Sequence, residues 1–507
     1  MDQIKKTNKK IVMTGLMIGT FLTAIEGTVV STAMPKIVAD LQGITIMGWV
    51  FSVFMLTSAV TVPLFGKMAD LFGRKRIFVV GTLIFLLGSV MCGLSWSMSA
   101  LIVARAIQGI GTGAIMTLST TIIGDIYPQA ESAKMFGLIG SIWGIAGIFG
   151  PLVGGFFVDT LSWHWIFFIN LPFGILSVLF VVAGLQETGM RQKQKMDIAG
   201  AAAFAVSMIA LLYGIQAIGD QGFVLHWSII ASIAVVFLFG MLFVWIERRQ
   251  ADPLMSFHLL SRPIILLTNF IALAGSAVLI GNDIYLPMWL QGMLGYSATA
   301  SGFVLTPMSL AWMAGSFLCG RLLRRYGIRF TGLAGAVLIA IGTFWMSSLR
   351  SSSFPFQMYA MTAILGIGFG MVLTLTTICV QSAVDFEKRG AATASNQFFR
   401  SIGQTIGAAL LGSSFNGVAE GTLAKQSNSA LSLHSLNQLI HPSSQAHFAN
   451  QALNVLRSAL YEAIHHIFIL LFLLALLMII LAAILPKRVR AARKKADTTS
   501  AASAQKV

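Results

Sequence analysis

The chain has 507 residues, 56% of them hydrophobic and only 10% charged, with a mean hydropathy of +0.82. A soluble domain carries about 25% charged residues, so this composition excludes a water-soluble globular protein and indicates a polytopic membrane protein. The net charge of +16, from 34 Lys and Arg against 18 Asp and Glu, would raise nucleic-acid binding in a soluble chain, but here the placement of the charges matters more than their sum.

In chain order, apolar runs bounded by charged or Gly/Pro-containing breaks predict fourteen transmembrane spans: 11–33, 47–65, 77–95, 99–122, 135–157, 163–185, 198–218, 227–246, 264–291, 298–319, 330–349, 355–380, 392–416 and 460–485. The runs are continuous rather than alternating, which excludes a β-barrel. The first follows Lys5, Lys6, Lys9 and Lys10 but is long, carries Glu26 and lacks a small-residue cleavage site, so it reads as an uncleaved helix. Cys92, Cys319 and Cys379 each fall inside an apolar run and read as buried thiols, not as a disulfide framework.

With these edges, 28 of the basic residues lie at the N-terminus, in the even-to-odd loops and in the C-terminal tail. Four (Lys36, Arg350, Lys425 and Arg457) lie on the other side, and Arg105 and Arg400 fall within spans. Because Lys and Arg are retained in the cytoplasm, both termini are predicted to be cytoplasmic. The one long loop, 417–459, is polar and falls outside. The basic tail 487–507 follows directly on the last span, which predicts contact with anionic membrane lipids and not with nucleic acid.

The chain repeats at a spacing of about 254 to 257 residues. Gly66 to Arg76, after the second span, is echoed by Gly320 to Arg329 after the tenth, with both glycines at the same separation. Gly109-Ile110-Gly111-Thr112-Gly113 in the fourth span is echoed by Gly366-Ile367-Gly368-Phe369-Gly370 in the twelfth. The expected organisation is a six-helix bundle over 1–190, two inserted helices over 191–250, and a second bundle over 251–486. Such duplicated bundles often hold a midplane site at the repeat interface.

Ionisable residues inside spans cost about 2.5 to 3.5 kcal/mol each on insertion scales, so each is a candidate for function. Glu26, Arg105 and Asp283 lie six to eight positions from the predicted outer ends of their spans. At roughly 1.5 Å per residue that is a shared depth of about 10 Å, which predicts a meeting across one cavity. The repeat places Asp283 at the counterpart of Glu26, and Thr362 at that of Arg105. Two readings stand: proton-carrying acids, or a static Glu26–Arg105 pair that holds helices together. Gln108, Asn282, Trp289 and Trp312 join Glu26 and Asp283 as candidate cavity residues. His465 and His466 are adjacent, point about 100° apart on a helix and lack a His-x-x-x-His spacing, so no metal site is expected. No intramembrane nucleophile–base pair and no Walker-type phosphate loop is present, so no enzyme is expected.

Gly66 to Arg76 resembles the loop signature of the major facilitator superfamily, and Arg105-Ala106-Ile107-Gln108-Gly109-Ile110-Gly111 resembles its fourth-helix proton-coupling motif. Gly150-Pro151-Leu152-Val153-Gly154-Gly155 resembles the antiporter motif of its exporters. The segments from Ile25 to Pro35 and from Trp163 to Pro172 resemble the fourteen-helix drug:proton antiporter branch. The resemblance spans residues 10 to 485. It implies an all-α major-facilitator fold of two six-helix bundles plus two inserted helices. It also implies proton-coupled efflux of lipophilic, often cationic compounds by alternating access in the bacterial cytoplasmic membrane. The driving force is the proton gradient with no cofactor, and the working unit is a monomer. An exporter dedicated to one metabolite, antibiotic or monovalent cation fits the same residues.

Residue by residue, the resemblance implies that Asp70, with Gly66, Gly73 and Arg74, forms a charge relay to a helix N-terminus in the other half. Arg105 couples proton movement to the first-helix acid, and Gly147, Gly150, Pro151, Gly154 and Gly155 form the hinge that favours export. The chain departs from the family pattern at Glu26, where Asp is common. It departs again in loop 129–134, where Lys134 stands in for a missing Arg.

Overall fold

The computed structural model describes residues 7–127, 129–186, 198–221, 226–249, 261–350, 355–384, 389–426, 433, 435–436 and 450–487. Its helices are α1 (Lys9–Leu41), α2 (Met47–Phe72), α3 (Arg74–Gly93), α4 (Met98–Ile126), α5 (Gln129–Thr160) and α6 (Trp165–Gly184), then α7 (Ile198–Gln221) and α8 (Trp227–Glu247). The second half runs α9 (Pro263–Met288), α10 and α11 (298–326 and 328–347), α12 (Pro355–Ser382), α13 (Arg389–Gln426) and α14 (Asn450–Ile484). The fourteen predicted spans thus correspond one to one with helices.

Eleven helical stretches among the described residues are long and apolar enough to cross a membrane, and one of these, Ala298–Ser347, holds both α10 and α11. Of the other two spans, α7 carries a shorter apolar stretch, Ala199–Ile215, and α13 falls short of that apolarity for a structural reason. α13 is enclosed by α2, α7, α9 and α14, so Ser395, Asn396, Thr405 and Asn416 are buried in protein rather than exposed to lipid. Asn396 donates to Asn269 Oδ1 at 3.0 Å, and Asn269 donates to Ser395 Oγ at 3.1 Å, pinning α9 to α13 by interhelical hydrogen bonds.

The repeat recurs in three dimensions. A Cβ on Gly109 would strike the Phe54 carbonyl and one on Gly113 the Ser58 carbonyl; in the second half Gly366 meets Met308 and Gly370 meets Trp312. Gly111 lies on Gly81 and Phe85, as Gly368 lies on Gly335 and Ile339. Each pair of partners is offset by 254 residues and each glycine by 257. The turn after the second helix of each bundle also repeats: Gly73 has φ 97° and Gly327 φ 81°, a region that side chains with a Cβ rarely adopt. Just past each turn a basic side chain donates to the C-terminal end of the bundle's last helix, where the helix dipole favours a cation. Lys75 Nζ reaches the Leu185 carbonyl at 3.1 Å, and Arg329 Nε reaches the Leu485 carbonyl at 2.6 Å.

Helices α1 and α14 put the two chain ends on one face of the bundle, termed the terminal face. One apolar core is shared by both bundles: it joins Val29, Val30 and Met34 to Ile284, Leu286 and Phe415 in the half nearer the opposite face, and it continues through the second bundle to Cys319, Ile328 and Leu485 at the terminal face. Toward the terminal face, Phe65, Ile77, Ile122 and Ile139 form a core of the first bundle alone, and Ile265, Val380 and Ala392 a separate one of the second. The inserted α7 packs its Phe204, Met208 and Leu212 against α2 at Leu56 and α13 at Ala409, with Phe204 5.0 Å from the Phe398 ring, so it bridges the seam between bundles. Helices α13 and α14 run about ten residues beyond their predicted edges into the expected loop 417–459, because Ala419, Leu423, Leu456 and Ala459 continue their buried faces and Thr422 donates to Glu462 at 2.7 Å. Most of the rest of that loop, and the tail beyond Lys487, lie outside the described residues.

Replacing a glycine at such positive φ strains the backbone by about 1–3 kcal/mol. Gly73→Ala should lower the thermal midpoint in detergent, and Gly327→Ala should lower it further, because its new Cβ also meets the Lys487 carbonyl. The reaction of a thiol dye with the buried Cys92, Cys319 and Cys379 on unfolding measures both; unchanged midpoints would mean that the turns can relax.

Candidate functional site

Arg105 is wholly buried in the first bundle and its planar guanidinium is held on several sides. Nη1 donates to Glu26 Oε1 at 2.6 Å and to Gln108 Oε1 at 2.7 Å, while Nε donates to the Val50 carbonyl at 3.4 Å. The Phe54 ring lies 3.9 Å below the guanidinium carbon, a cation–π contact. Arg105 and Gln108 share a face of α4 at i, i+3 spacing. The close approach of α4 to α2 at Gly109 is what brings the Val50 carbonyl and Phe54 within reach.

The second oxygen of Glu26 is satisfied from a different direction. Asn170 Nδ2, at the start of the main segment of α6, donates to Glu26 Oε2 at 2.9 Å and to Ser89 Oγ on α3 at 2.9 Å. Gln108 Nε2 reaches the same Ser89 oxygen at 3.4 Å, which closes the network. Glu26, Ser89, Arg105, Gln108 and Asn170 are all at most 2% exposed, so a formally neutral ion pair and three polar side chains are sealed between α1, α3, α4 and α6. A buried pair is tolerated where most of its remaining lone pairs and protons are bonded in this way; among the described residues Arg105 Nη2 and Asn170 Oδ1 find no hydrogen-bond partner. In the second bundle Thr362 occupies the place of Arg105 and donates to the Val304 carbonyl at 2.9 Å, the counterpart of the Val50 carbonyl.

Asp283 does not join this pair. It is half-buried on α9, its carboxylate accepts from Asn282 Nδ2 at 3.3 Å, and its backbone carbonyl accepts from the Ser31 hydroxyl on α1. Among the described residues it forms no ion pair, so two of the three candidate charges meet and the third stands apart in the other bundle. Of the other cavity candidates, Asn282 is fully buried against the Met308 sulfur at 3.4 Å, and Trp289 is enclosed between Tyr461 and Phe468 inside the second bundle. Trp312 is partly open and stacks on Phe369 with ring centres 5.8 Å apart.

The glycine string of α5 presents two stripes. Gly150 and Gly154 abut Thr28 and Val29 of α1, within the bundle, whereas Gly147 and Gly155 abut Ser309 and Thr299 of α10, across the bundles. Gly302 of α10 in turn rests on the Pro151 carbonyl. Pro151 lies on the same stripe as Gly147 and Gly155, four residues from each, so a single helix is in near-backbone contact with both halves of the molecule. At its end Asp159 caps α10, its two oxygens accepting from Ala298 N at 3.1 Å and Thr299 N at 2.8 Å. A carboxylate at a helix N-terminus is favoured by the helix dipole. Other hydrogen bonds between the bundles also lie toward the opposite face: Gln291 Nε2 to the Thr32 carbonyl at 2.9 Å, Asn416 Nδ2 to the Thr45 carbonyl at 2.8 Å, and Ser52 Oγ to the Thr405 carbonyl at 3.1 Å.

At the terminal face Arg74 forms an ion pair with Asp125 at the end of α4, inside the first bundle. Gly66 lies against Thr117 of α4, and Gly73 supplies the positive φ of the turn. The side chains of Asp70 and Lys134 lie outside the described residues. Three residues of this architecture carried no role in the sequence reading: Ser89, Asn170 and Asp159. Asn170 had a signal, as an amide within an otherwise apolar run, but its partner is 144 residues away in the chain.

Comparison with known proteins decides the family. Residues 16–408 match the Major Facilitator Superfamily. The chain belongs to that superfamily. Among its relatives, the multidrug transporter protein MdtP of Bacillus subtilis is 32% identical over 92% of this chain and 90% of its own length. Multidrug resistance protein 3 of the same organism is 31% identical over 92% and 93%, and the multidrug efflux pump SdrM of Staphylococcus aureus is 28% identical over 79% and 89%. A bacterial homologue of the human lysosomal transporter Spinster, solved in an inward-facing and occupied conformation, shares the superfamily fold with a TM-score of 0.66 at 18% identity, over 94% of this chain and 97% of that one. The chain is therefore an integral membrane transporter of the major facilitator type.

Removing one partner of a buried pair leaves an uncompensated charge and destabilises by about 3–5 kcal/mol. Arg105→Ala should therefore lower the thermal midpoint more than the double variant Glu26→Gln/Arg105→Ala, in which no bare carboxylate remains. Additive losses in this double-mutant cycle would show that the two side chains are not energetically coupled.

Proposed function

We propose that the chain is a proton-coupled exporter of lipophilic, often cationic, compounds, working by alternating access as a monomer in a bacterial cytoplasmic membrane. The observation that carries the proposal is the sealed Glu26–Arg105 pair, which sits one to two turns of α1 from the contacts that join the bundles. A proton arriving at Glu26 Oε1 displaces the hydrogen bond from Arg105 Nη1. Arg105 then keeps only Gln108 and the Val50 carbonyl as partners. The loss of that bond changes how tightly α1 is held to α4, and α1 is the helix that also carries the α5 and α9 contacts. Asp283 is the second acid of the scheme, in the other bundle, where a cationic substrate can compete with a proton for its carboxylate.

The remaining parts follow from this reading. The excess of Lys and Arg on the terminal face makes that face cytoplasmic, so the bundles are joined on the outer side and separate toward the cytoplasm. Opening outward requires the Asp159 cap and the Thr32, Thr45 and Ser52 contacts to part, with the glycine string of α5 acting as the hinge. The turn of Gly66, Asp70, Gly73 and Arg74 is then the cytoplasmic latch of the alternate state. Multidrug breadth is supported by the names of the relatives and by the absence of a fixed ion pair on Asp283.

The test is proteoliposomes with an internal pH dye. Wild-type protein should release protons in response to several unrelated lipophilic cations, and Glu26→Gln should reduce this flux to background while the protein stays folded and monodisperse, its melting midpoint lowered by the unpaired Arg105. Proton flux in Glu26→Gln equal to the wild type would remove Glu26 as the carrier, and a response to a single compound class would make the protein a dedicated exporter.

A further inference from the structure

The two bundles share their backbone contacts but not the charges at the turn on the terminal face, and the difference leaves a basic cavity on one of them. In the first bundle the turn carries Lys67, Asp70, Arg74, Lys75 and Arg76, whose counterpart is Phe330, and Arg74 is neutralised by Asp125. The repeat offset places Arg321 at Lys67, Arg324 at Asp70, Ile328 at Arg74, Arg329 at Lys75 and Ser382 at Asp125. Neither Asp70 of the first turn nor Asp125 at the end of α4 has an acid at its equivalent position, Asp70 is replaced by a cation, and Arg325 adds another where the first turn has Leu71.

These residues surround real space. A cavity of about 750 Å³ is lined by Arg324, Arg325, Arg329 and Lys487 together with the apolar Phe330, Leu333 and Ile378. It adjoins a second of about 560 Å³ that adds Arg321 and Phe317 and shares Leu323, Arg324 and Ile378. No carboxylate lines either among the described residues. Arg329 Nε is occupied by the Leu485 carbonyl, whereas Arg321 and Arg324 make no ion pair there. The cavity is bounded by the α10–α11 turn, the end of α12 and the end of α14, so a ligand in it touches three elements of the second bundle at once.

We propose that this cavity binds an anionic phospholipid, its phosphodiester headgroup held by Arg321, Arg324, Arg325 and Lys487 and its acyl chains lying along Leu323, Phe330 and Ile378. The chemistry selects that ligand. Several cations with no counter-charge among the described residues call for an anion. Their position at the ends of membrane-spanning helices puts that anion at headgroup level. The apolar wall gives hydrocarbon a surface that a free phosphate does not use. The bound lipid bridges the α10–α11 turn to the end of α14, adding to the tie already made by Ile328 N and Arg329 to the Lys487 and Leu485 carbonyls. The proposal depends on membrane insertion and not on the transport reading, so failure of proton coupling leaves it standing.

The test uses the full-length protein in neutral detergent, with lipid binding followed by native mass spectrometry and by thermal melting. Phosphatidylglycerol and cardiolipin should bind and raise the midpoint, whereas phosphatidylcholine and inorganic phosphate should not. Arg321→Gln, Arg324→Gln and Arg325→Gln should weaken binding on the order of fivefold for each arginine removed. All three side chains are exposed, so the variants should melt like the wild type without lipid. Arg324→Lys, which keeps the charge, should retain most of the binding. Lys67→Gln, at the equivalent place in the first bundle, and a chain ending at Lys487 should bind as the wild type does. Undiminished binding by the triple variant, equal response to phosphatidylcholine, displacement of lipid by millimolar phosphate, or loss of binding on removing the tail would each overturn the proposal.

Discussion

Helices in lipid are not driven together by the hydrophobic effect, since hydrocarbon tails are as apolar as the helices themselves; what holds them is close contact. This chain meets that constraint with glycine at the points where backbones touch. Gly109 and Gly113 let α4 lie on α2, Gly111 lets it lie on α3, and the same three contacts recur between α12 and the pair α10 and α11. The chemistry of the site depends on this packing. Arg105 reaches the Val50 carbonyl and the Phe54 ring because α4 and α2 approach at Gly109, one turn away.

Much of the fold was legible in the sequence because the bilayer makes hydropathy a strong signal. Span number and the repeat offset could both be read from apolar runs and glycine spacing. The edges of α13 and α14 could not, because those helices continue as amphipathic segments whose buried face is set by protein rather than by lipid. The site was legible in part. Depth within the membrane follows from counting along a helix, and by depth Glu26, Arg105 and Asp283 were equals. Which bundle each side chain turns into is a matter of tertiary packing, and that separates Asp283 from the other two. Ser89 and Asn170 went unassigned for a related reason: a hydroxyl or amide in an apolar run signals a partner without naming it.

Where the two bundles differ is as informative as where they agree. Their shared glycine contacts make them mechanically similar, which a rocking motion about a pseudo-symmetric centre requires. Their polar residues have diverged at equivalent positions: Arg105 against Thr362, Asp70 against Arg324, Asp125 against Ser382. The first bundle has drawn Arg105 into its interior and paired it, while the second has kept a neutral hydroxyl at that position and set Arg321, Arg324, Arg325 and Arg329 at the membrane boundary, with Arg400 inside α13. Under the proposed coupling, charge in the interior serves chemistry and charge at the boundary serves placement.

Helix α1 is where these two roles meet. Successive residues on a helix turn by about 100°, so Glu26 faces α4 and α6, the stripe of Ile25, Thr28, Val29 and Thr32 faces the glycines of α5, and Ser31 faces α9. One helix thus touches the charged network of its own bundle, the glycine string of α5, and the opposite bundle. Under the proposed coupling, a change in the bonding of Glu26 needs no long relay to reach the interface between bundles. It needs only a small shift or rotation of α1, because the contacts at Thr28, Ser31 and Thr32 lie within two turns of the carboxylate. Close packing at Gly150 and Gly154 makes such a shift discrete rather than gradual, since backbones in contact either keep their register or lose it.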